Sequence, residues 1–313
     1  MATSDALRRA RLYVPMVALA VALSTLVSCV IIAKATHVYL GGLAWPFFST
    51  TGRDKPAYYV FCAGLTATAV LLVATWTFNF QYQHAVLTKA ARGSGIDTRK
   101  HLRMAWVTRT AGILSVFGLS LLGFFDTAMY KRTHQLCAYW FFAWEVVATI
   151  NNTFVSKRIY DLSYTPDGVS MSNYVIMEAG AKSDLVDRAD RTHKRRRTYN
   201  IQMTLNFVFF VAFLVYIPWN IVSPSHCTPL TVSECLQRIL GETYCTVTMR
   251  DNETETKLAN CAHCYSENDL TKVQMRALAQ LACVLTLIGY CVTFVTHDYD
   301  DAEREDVNPL YPL

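Results

Sequence analysis

Six stretches of about 20 residues with little or no charge dominate this chain, and that is the length an α-helix needs to cross a bilayer. They cover residues 12–33, 56–80, 105–125, 133–156, 199–222 and 277–297. The third is free of charge only from 110 to 125 and reaches full length if Arg109 snorkels. The fourth is broken only by Glu145. All are too long for barrel strands, and backbone groups in lipid must be satisfied internally. The expected fold is therefore all-α: a single six-transmembrane-helix membrane domain over residues 1–313. Composition agrees, with 52% hydrophobic and 17% charged residues and a mean hydropathy of +0.21, against roughly 25% charge in soluble domains. A soluble enzyme, a nucleic-acid binder and a disordered chain are all excluded on these grounds.

The first run follows Arg8, Arg9 and Arg11, like a signal peptide, but its length exceeds an h-region of about 7–15 residues. It is expected to be a retained anchor. Lys and Arg set the orientation. The N-terminus, the second and fourth loops and the tail hold 19 of the 29 basic residues, so both termini are expected in the cytoplasm. The loop over 223–276 then faces a lumenal or extracellular side. It carries five of the ten cysteines, Cys227, Cys235, Cys245, Cys261 and Cys264, and the glycosylation pattern Asn252-Glu253-Thr254. Both suit an oxidising compartment. These cysteines are disulfide candidates whose pairing the sequence leaves open, with Cys29, Cys62, Cys137 and Cys283 as further partners. Cys261-Ala262-His263-Cys264 reads as part of that stapled loop rather than as zinc or redox chemistry, which needs four ligands or a βαβ context.

Glu145 is the only acid deep inside a run. A carboxyl there is expensive, and it reads either as a polar helix contact or as a proton or lipid site. Asn79, Asn151, Asn152, Asn200 and Asn206 are further polar candidates in the bundle. Lys194, Arg195, Arg196 and Arg197 precede the fifth run and are candidates for anionic lipid headgroups, phosphoinositides included. The segment 298–306 has six acids and one Arg and reads as a solvated tail. Gly112, Gly118 and Gly123 suggest close helix packing in the third run. Tyr139, Trp140, Phe141, Phe142 and Trp144 suggest an aromatic belt in the fourth. No nucleophile elbow, zinc-protease motif, phosphate loop or acid pair is present. The expectation is a protein that is not an enzyme and has no cofactor, metal or nucleic-acid partner.

The first loop reads Trp45-Pro46-Phe47-Phe48-Ser49-Thr50-Thr51-Gly52-Arg53-Asp54-Lys55-Pro56. Its Pro46, Phe47, Ser49, Gly52 and Pro56 pattern resembles the DRAM-type family of damage-regulated autophagy modulators. Fungal Sfk-type, Frag-type and Cwh-type N-terminal membrane domains are its relatives. The run from Ala111 to Ser120, and His134 opening the fourth span, continue the likeness. Ala57 and Cys137 depart from it, as do Glu145 and the long fourth and fifth loops. The resemblance implies a membrane modulator of autophagy, endolysosomal trafficking or phosphoinositide kinases, in lysosome, endosome, Golgi or plasma membrane, with lipid and protein partners. A factor in GPI-anchor lipid remodelling and a carrier of protons or small solutes are the alternatives. The remodelling enzyme is weakened because His134 and Glu145 lie about 16 Å apart along one helix.

Overall fold

The computed structural model describes residues 2–36, 45–94, 97–127, 129–164, 179–217, 227–229, 232–237, 246, 261–264, 267–297 and 299. Six long helices build the bundle: α1 (Ala2–Ala35), α3 (Ala57–Ser94), α4 (Arg99–Phe124), α5 (Lys131–Tyr164), α6 (Ala179–Tyr216) and α8 (Glu267–Val292). Two short helices, α2 (Phe48–Thr51) and α7 (Val232–Gln237), lie in the connections, and the 3-10 turn Thr293–Thr296 extends α8. Strands β1 (Cys227–Pro229) and β2 (Cys261–Cys264) form an antiparallel ribbon, an addition to the all-helical expectation.

Each long helix packs on its neighbours in sequence, and α8 closes back on α1, giving a ring in the order α1, α3, α4, α5, α6, α8. This is the arrangement that short connections between antiparallel helices favour. Among the described residues five helices are long and apolar enough to cross a membrane: Ala6–Ala35, Ala57–Arg92, Arg99–Phe124, Ala189–Tyr216 and Thr271–Thr296. Composition does not mark α5 as a span. It has 34 residues, enough length, but Glu145, Asn151 and Asn152 sit at its centre.

The polarity of the bundle runs inside out compared with a soluble protein. Val70, Phe117, Leu136, Phe154 and Phe207 point outward and are largely exposed. Thr68, Thr75, Asn79, Gln83, Ser115, Glu145, Asn152 and Gln202 are fully buried. Lipid solvates the first set without cost, whereas the second must find partners inside. Glycines set the spacing. A Cβ on Gly118 would lie 2.8 Å from the Cys137 carbonyl oxygen and the Phe141 nitrogen, and one on Gly112 would lie 2.5 Å from the Trp76 ring. Small residues here let α4 meet the backbone of α5 and the Trp76 ring of α3 at close range.

Helix ends differ from the hydropathy boundaries. The α3 helix runs on to Ser94 and α4 starts at Arg99, so most of the second loop is helical. Likewise α5 continues to Tyr164 and α6 starts at Ala179, which shortens the fourth loop. Hydropathy marks the apolar part of a helix, but polar turns extend it into water with help from pairs such as Asp190 and Lys194, 2.6 Å apart at i,i+4. The aromatic run on α5 also divides. Tyr139 and Trp140 face outward, while Phe141 and Phe142 enter the core, where Phe142 packs against Phe209, Phe213 and Tyr216. Four consecutive helical positions cannot share one face.

Candidate functional site

The first-loop motif works on the fold. Phe47 leads into α2 and packs on Val273 and Ala277 of α8. The Phe48 N–H donates to Gln280 Oε1 at 3.0 Å. Gln274 bonds both backbone groups of Trp45, accepting from its N–H at 3.2 Å and donating to its carbonyl at 2.9 Å. Loop backbone has no ladder to satisfy it, and two glutamines of α8 take that part. Gly52 allows the turn to sit on α3, since a Cβ there would lie 2.3 Å from the Phe61 ring. Pro46 is buried, and Pro56 directly precedes α3. Thr127 donates to the Ser49 carbonyl at 3.5 Å. His134 Nδ1 lies 2.6 Å from the Phe125 carbonyl, closing the α4–α5 turn. The motif residues and His134 thus lock one end of the bundle, here termed the first-loop end.

Glu145 occupies the middle of α5 and is 1% exposed. Ser115 Oγ on α4 is 2.5 Å from its Oε2 and 2.7 Å from the Gly112 carbonyl oxygen. Cys291 on α8 approaches Oε1 at 4.0 Å. The Trp76 indole of α3 is the remaining polar neighbour, short of a well-formed hydrogen bond. Among the described residues no Lys or Arg pairs with this carboxyl. Ser115 has one hydrogen to offer two oxygens. A carboxyl proton donated to Ser115, with Ser115 donating on to Gly112, satisfies the set.

Below Glu145, toward the end that carries Arg11 and Tyr299, the interior stays polar. Asn152 Oδ1 accepts from Asn79 Nδ2 at 2.7 Å and Gln83 Nε2 at 2.8 Å. Its Nδ2 donates to the Tyr290 hydroxyl at 2.9 Å. That hydroxyl donates to the Thr149 carbonyl at 2.9 Å and meets Thr153 Oγ1 at 2.7 Å. Asn206 Nδ2 reaches Thr153 Oγ1 at 2.9 Å. One connected node therefore ties α3, α5, α6 and α8. Glu145, Thr149, Asn152, Thr153 and Ser156 lie on a single face of α5 and are all buried. Further on, Gln202 donates to Thr293 at 2.9 Å and Thr198 meets Thr296 at 2.6 Å. His297 stacks on Tyr82 at 4.1 Å between ring centres.

Several sequence expectations are placed by this geometry. Asn79, Asn152 and Asn206 join the node, whereas Asn200 is exposed and Asn151 bonds its own helix at Val147. Gln83, Gln202 and Tyr290 complete the interior but were not singled out. Glutamine four residues after Asn79 on an apolar helix was the available signal for Gln83. Of the basic run, Arg196 and Arg197 are exposed, while Lys194 pairs with Asp190 and Arg195 bonds Ser163. In the segment expected to be a solvated tail, the described residue is Tyr299. Tyr299 is buried against Tyr82, with the Arg11 guanidinium 5.0 Å from its ring centre. Ring stacking and cation–π contact hold it despite the acidic neighbours. Cys29, Cys62, Cys137 and Cys283 are free thiols on the helices, so they are not partners for the loop cysteines. Cys227, Cys235, Cys261 and Cys264 lie on described backbone, while Cys245 and Asn252 lie outside the described residues. Among the described residues no cluster of His, Cys, Asp and Glu suits a metal ion.

A ring of long apolar helices around a buried polar column defines a multi-pass integral membrane protein. Residues 10–300 match the profile described as the Frag1/DRAM/Sfk1/Cwh43P N-terminal domain, and the chain belongs to that family. Comparison with curated proteins and with solved structures gives no significant match.

Proposed function

We propose that the protein is a non-enzymatic modulator of DRAM type, acting in autophagy and endolysosomal trafficking or on phosphoinositide kinases. The observation that carries this reading is the family match over nearly the whole chain. Two features support the absence of catalysis. His134 and Glu145 are engaged at separate places, on the Phe125 carbonyl and on Ser115. The family motif is consumed in holding the first loop to α8. In this reading α5 is the sixth span, supported by its position in the ring between α4 and α6. The termini face the cytoplasm, and Arg196 and Arg197 offer anionic lipid headgroups about 1 kcal/mol each.

The test is removal of the protein from cells, with autophagic flux and phosphoinositide levels measured together. A change in either is expected, and no change in both sinks the proposal. Altered GPI-anchor lipids with normal flux would transfer the protein to lipid remodelling. A Glu145→Gln variant separates the carrier alternative, because glutamine keeps a hydrogen bond to Ser115 but cannot release a proton. Full function in that variant is the result expected of a modulator.

A further inference from the structure

The ribbon between α6 and α8 places two cysteines face to face. In the β1–β2 register Cys227 pairs with Cys264, Thr228 with His263, and Pro229 with Cys261. Directly opposed residues of an antiparallel pair have Cα atoms about 4.5–5.5 Å apart. That interval lies inside the range of about 4.4–6.8 Å that a disulfide spans. The register shifts between Thr228 and Pro229, so β2 has one residue more than β1 over this stretch. Such a bulge alters the alternation of faces. It brings Cys261, three positions before Cys264, into line with Pro229, two positions after Cys227. Cys261 is thus diagonal to Cys227, and Cys264 stands directly across from it.

We propose that Cys227 and Cys264 form a disulfide that clips the base of the Cys-rich loop. This rests on the orientation given under Proposed function, in which the loop faces an oxidising compartment. The chemistry is thiol–disulfide exchange with a disulfide-bearing oxidant of that compartment. The two thiols lose two protons and two electrons as the S–S bond forms, and the donor disulfide takes up both and leaves as a dithiol. The bond closes the chain from 227 to 264 into a loop. Cys264 stands three residues before Glu267, where α8 begins, and Cys227 follows the end of α6 at Tyr216 by eleven residues. The clip therefore joins the connection that follows α6 to the residues that lead into α8, the helix whose Gln274 and Gln280 hold the first loop.

The experiment uses the full chain in native membranes. Free thiols are blocked, the protein is digested with trypsin without reductant, and linked peptides are read by mass spectrometry. Cys227 shares a tryptic peptide with Cys235, and Cys264 shares one with Cys261. The Cys235→Ser, Cys261→Ser double variant leaves Cys227 and Cys264 as the sole thiols in those two peptides. The expected result is a link between them in wild type and in the double variant, released by reductant. Linkage lost in the double variant, with wild type joining Cys227 to Cys261 or Cys235 to Cys264, overturns the pairing. Free thiols at both positions also overturn it, and a membrane-impermeant maleimide says why. Labelling from the cytosolic side of sealed membranes would mean that the orientation is wrong. Labelling only after the membrane is opened would mean that the orientation stands and the pairing alone fails.

Discussion

The two halves of the bundle are held by different kinds of hydrogen bond. At the first-loop end, side chains bond backbone: Gln274 to Trp45, Gln280 to Phe48, His134 to Phe125, and Tyr58 to the Phe124 carbonyl at 2.9 Å. In the half that carries Arg11 and Tyr299, side chains bond side chains across four helices, Asn152 with Asn79, Gln83 and Tyr290, and Asn206 with Thr153, with Tyr290 also reaching the Thr149 carbonyl. The difference follows from where backbone groups go unpaired. Turns and loops leave carbonyls and N–H groups open, so polar side chains there serve the main chain. Helix interiors leave few beyond a carbonyl's second lone pair, so buried amides there mainly serve each other. The first arrangement fixes a loop, and the second fixes the mutual registry of four helices.

If that contrast is right, the node should be the costlier half to cut. Asn152→Leu removes contacts to Asn79, Gln83 and Tyr290 together. At about 0.6 kcal/mol on average and about 1.7 at most for each interhelical bond in a membrane protein, the expected loss is about 2–5 kcal/mol. Unfolding in mixed micelles measures it, and a loss under about 1 kcal/mol would erase the distinction between the halves. Gly118→Ala comes next. Its new methyl meets backbone atoms of α5 at 2.8 Å, and backbone cannot step aside as a side chain can. Overpacking of this kind costs about 1–3 kcal/mol, read by the same unfolding assay. At the other end His134→Ala removes the bond to the Phe125 carbonyl, with Leu122 the other main-chain partner, and should cost about 1 kcal/mol. A loss as large as that of Asn152→Leu would show that the α4–α5 turn, and not the node, organises the bundle.

Much of this was legible in the sequence. Apolar runs of bilayer length located the six long helices, five of them apolar enough to span, and the Pro46 to Pro56 pattern pointed to the family. Glu145 was identifiable as an interior group because a lone acid in an apolar run has nowhere cheap to go. Its partner Ser115 was not, since many serines and threonines in spans simply bond their own helix, as Thr68 and Thr75 do. The node was half visible. Asn79 and Asn152 were candidates, but the bond from Asn152 to Tyr290 joins residues 138 positions apart, and no local pattern encodes such a pairing. Gln274 and Gln280 were invisible for the same reason, with partners 229 and 232 positions away. The helical extensions of α5 and α6 were missed because hydropathy registers lipid contact, and helices end where caps and turns stop them.

The smallest effect is also the sharpest control on the packing argument. Gly289 lies on α8, one residue before Tyr290 of the node, yet a Cβ built there meets no atom within 4 Å. Gly118 and Gly289 are both helical glycines inside apolar segments, so sequence treats them alike. Glycine in a helix interior is about 1 kcal/mol less favourable than alanine, and at Gly289 nothing opposes that gain. Gly289→Ala should therefore leave stability unchanged or raise it by up to about 1 kcal/mol, opposite in sign to Gly118→Ala. The pair, measured side by side in the same micelles, tests whether close backbone approach or glycine content as such governs the bundle. A destabilised Gly289→Ala would mean that α8 is packed more tightly around Tyr290 than the open space at Gly289 implies, and the node would then depend on main-chain contact as well as on its amides.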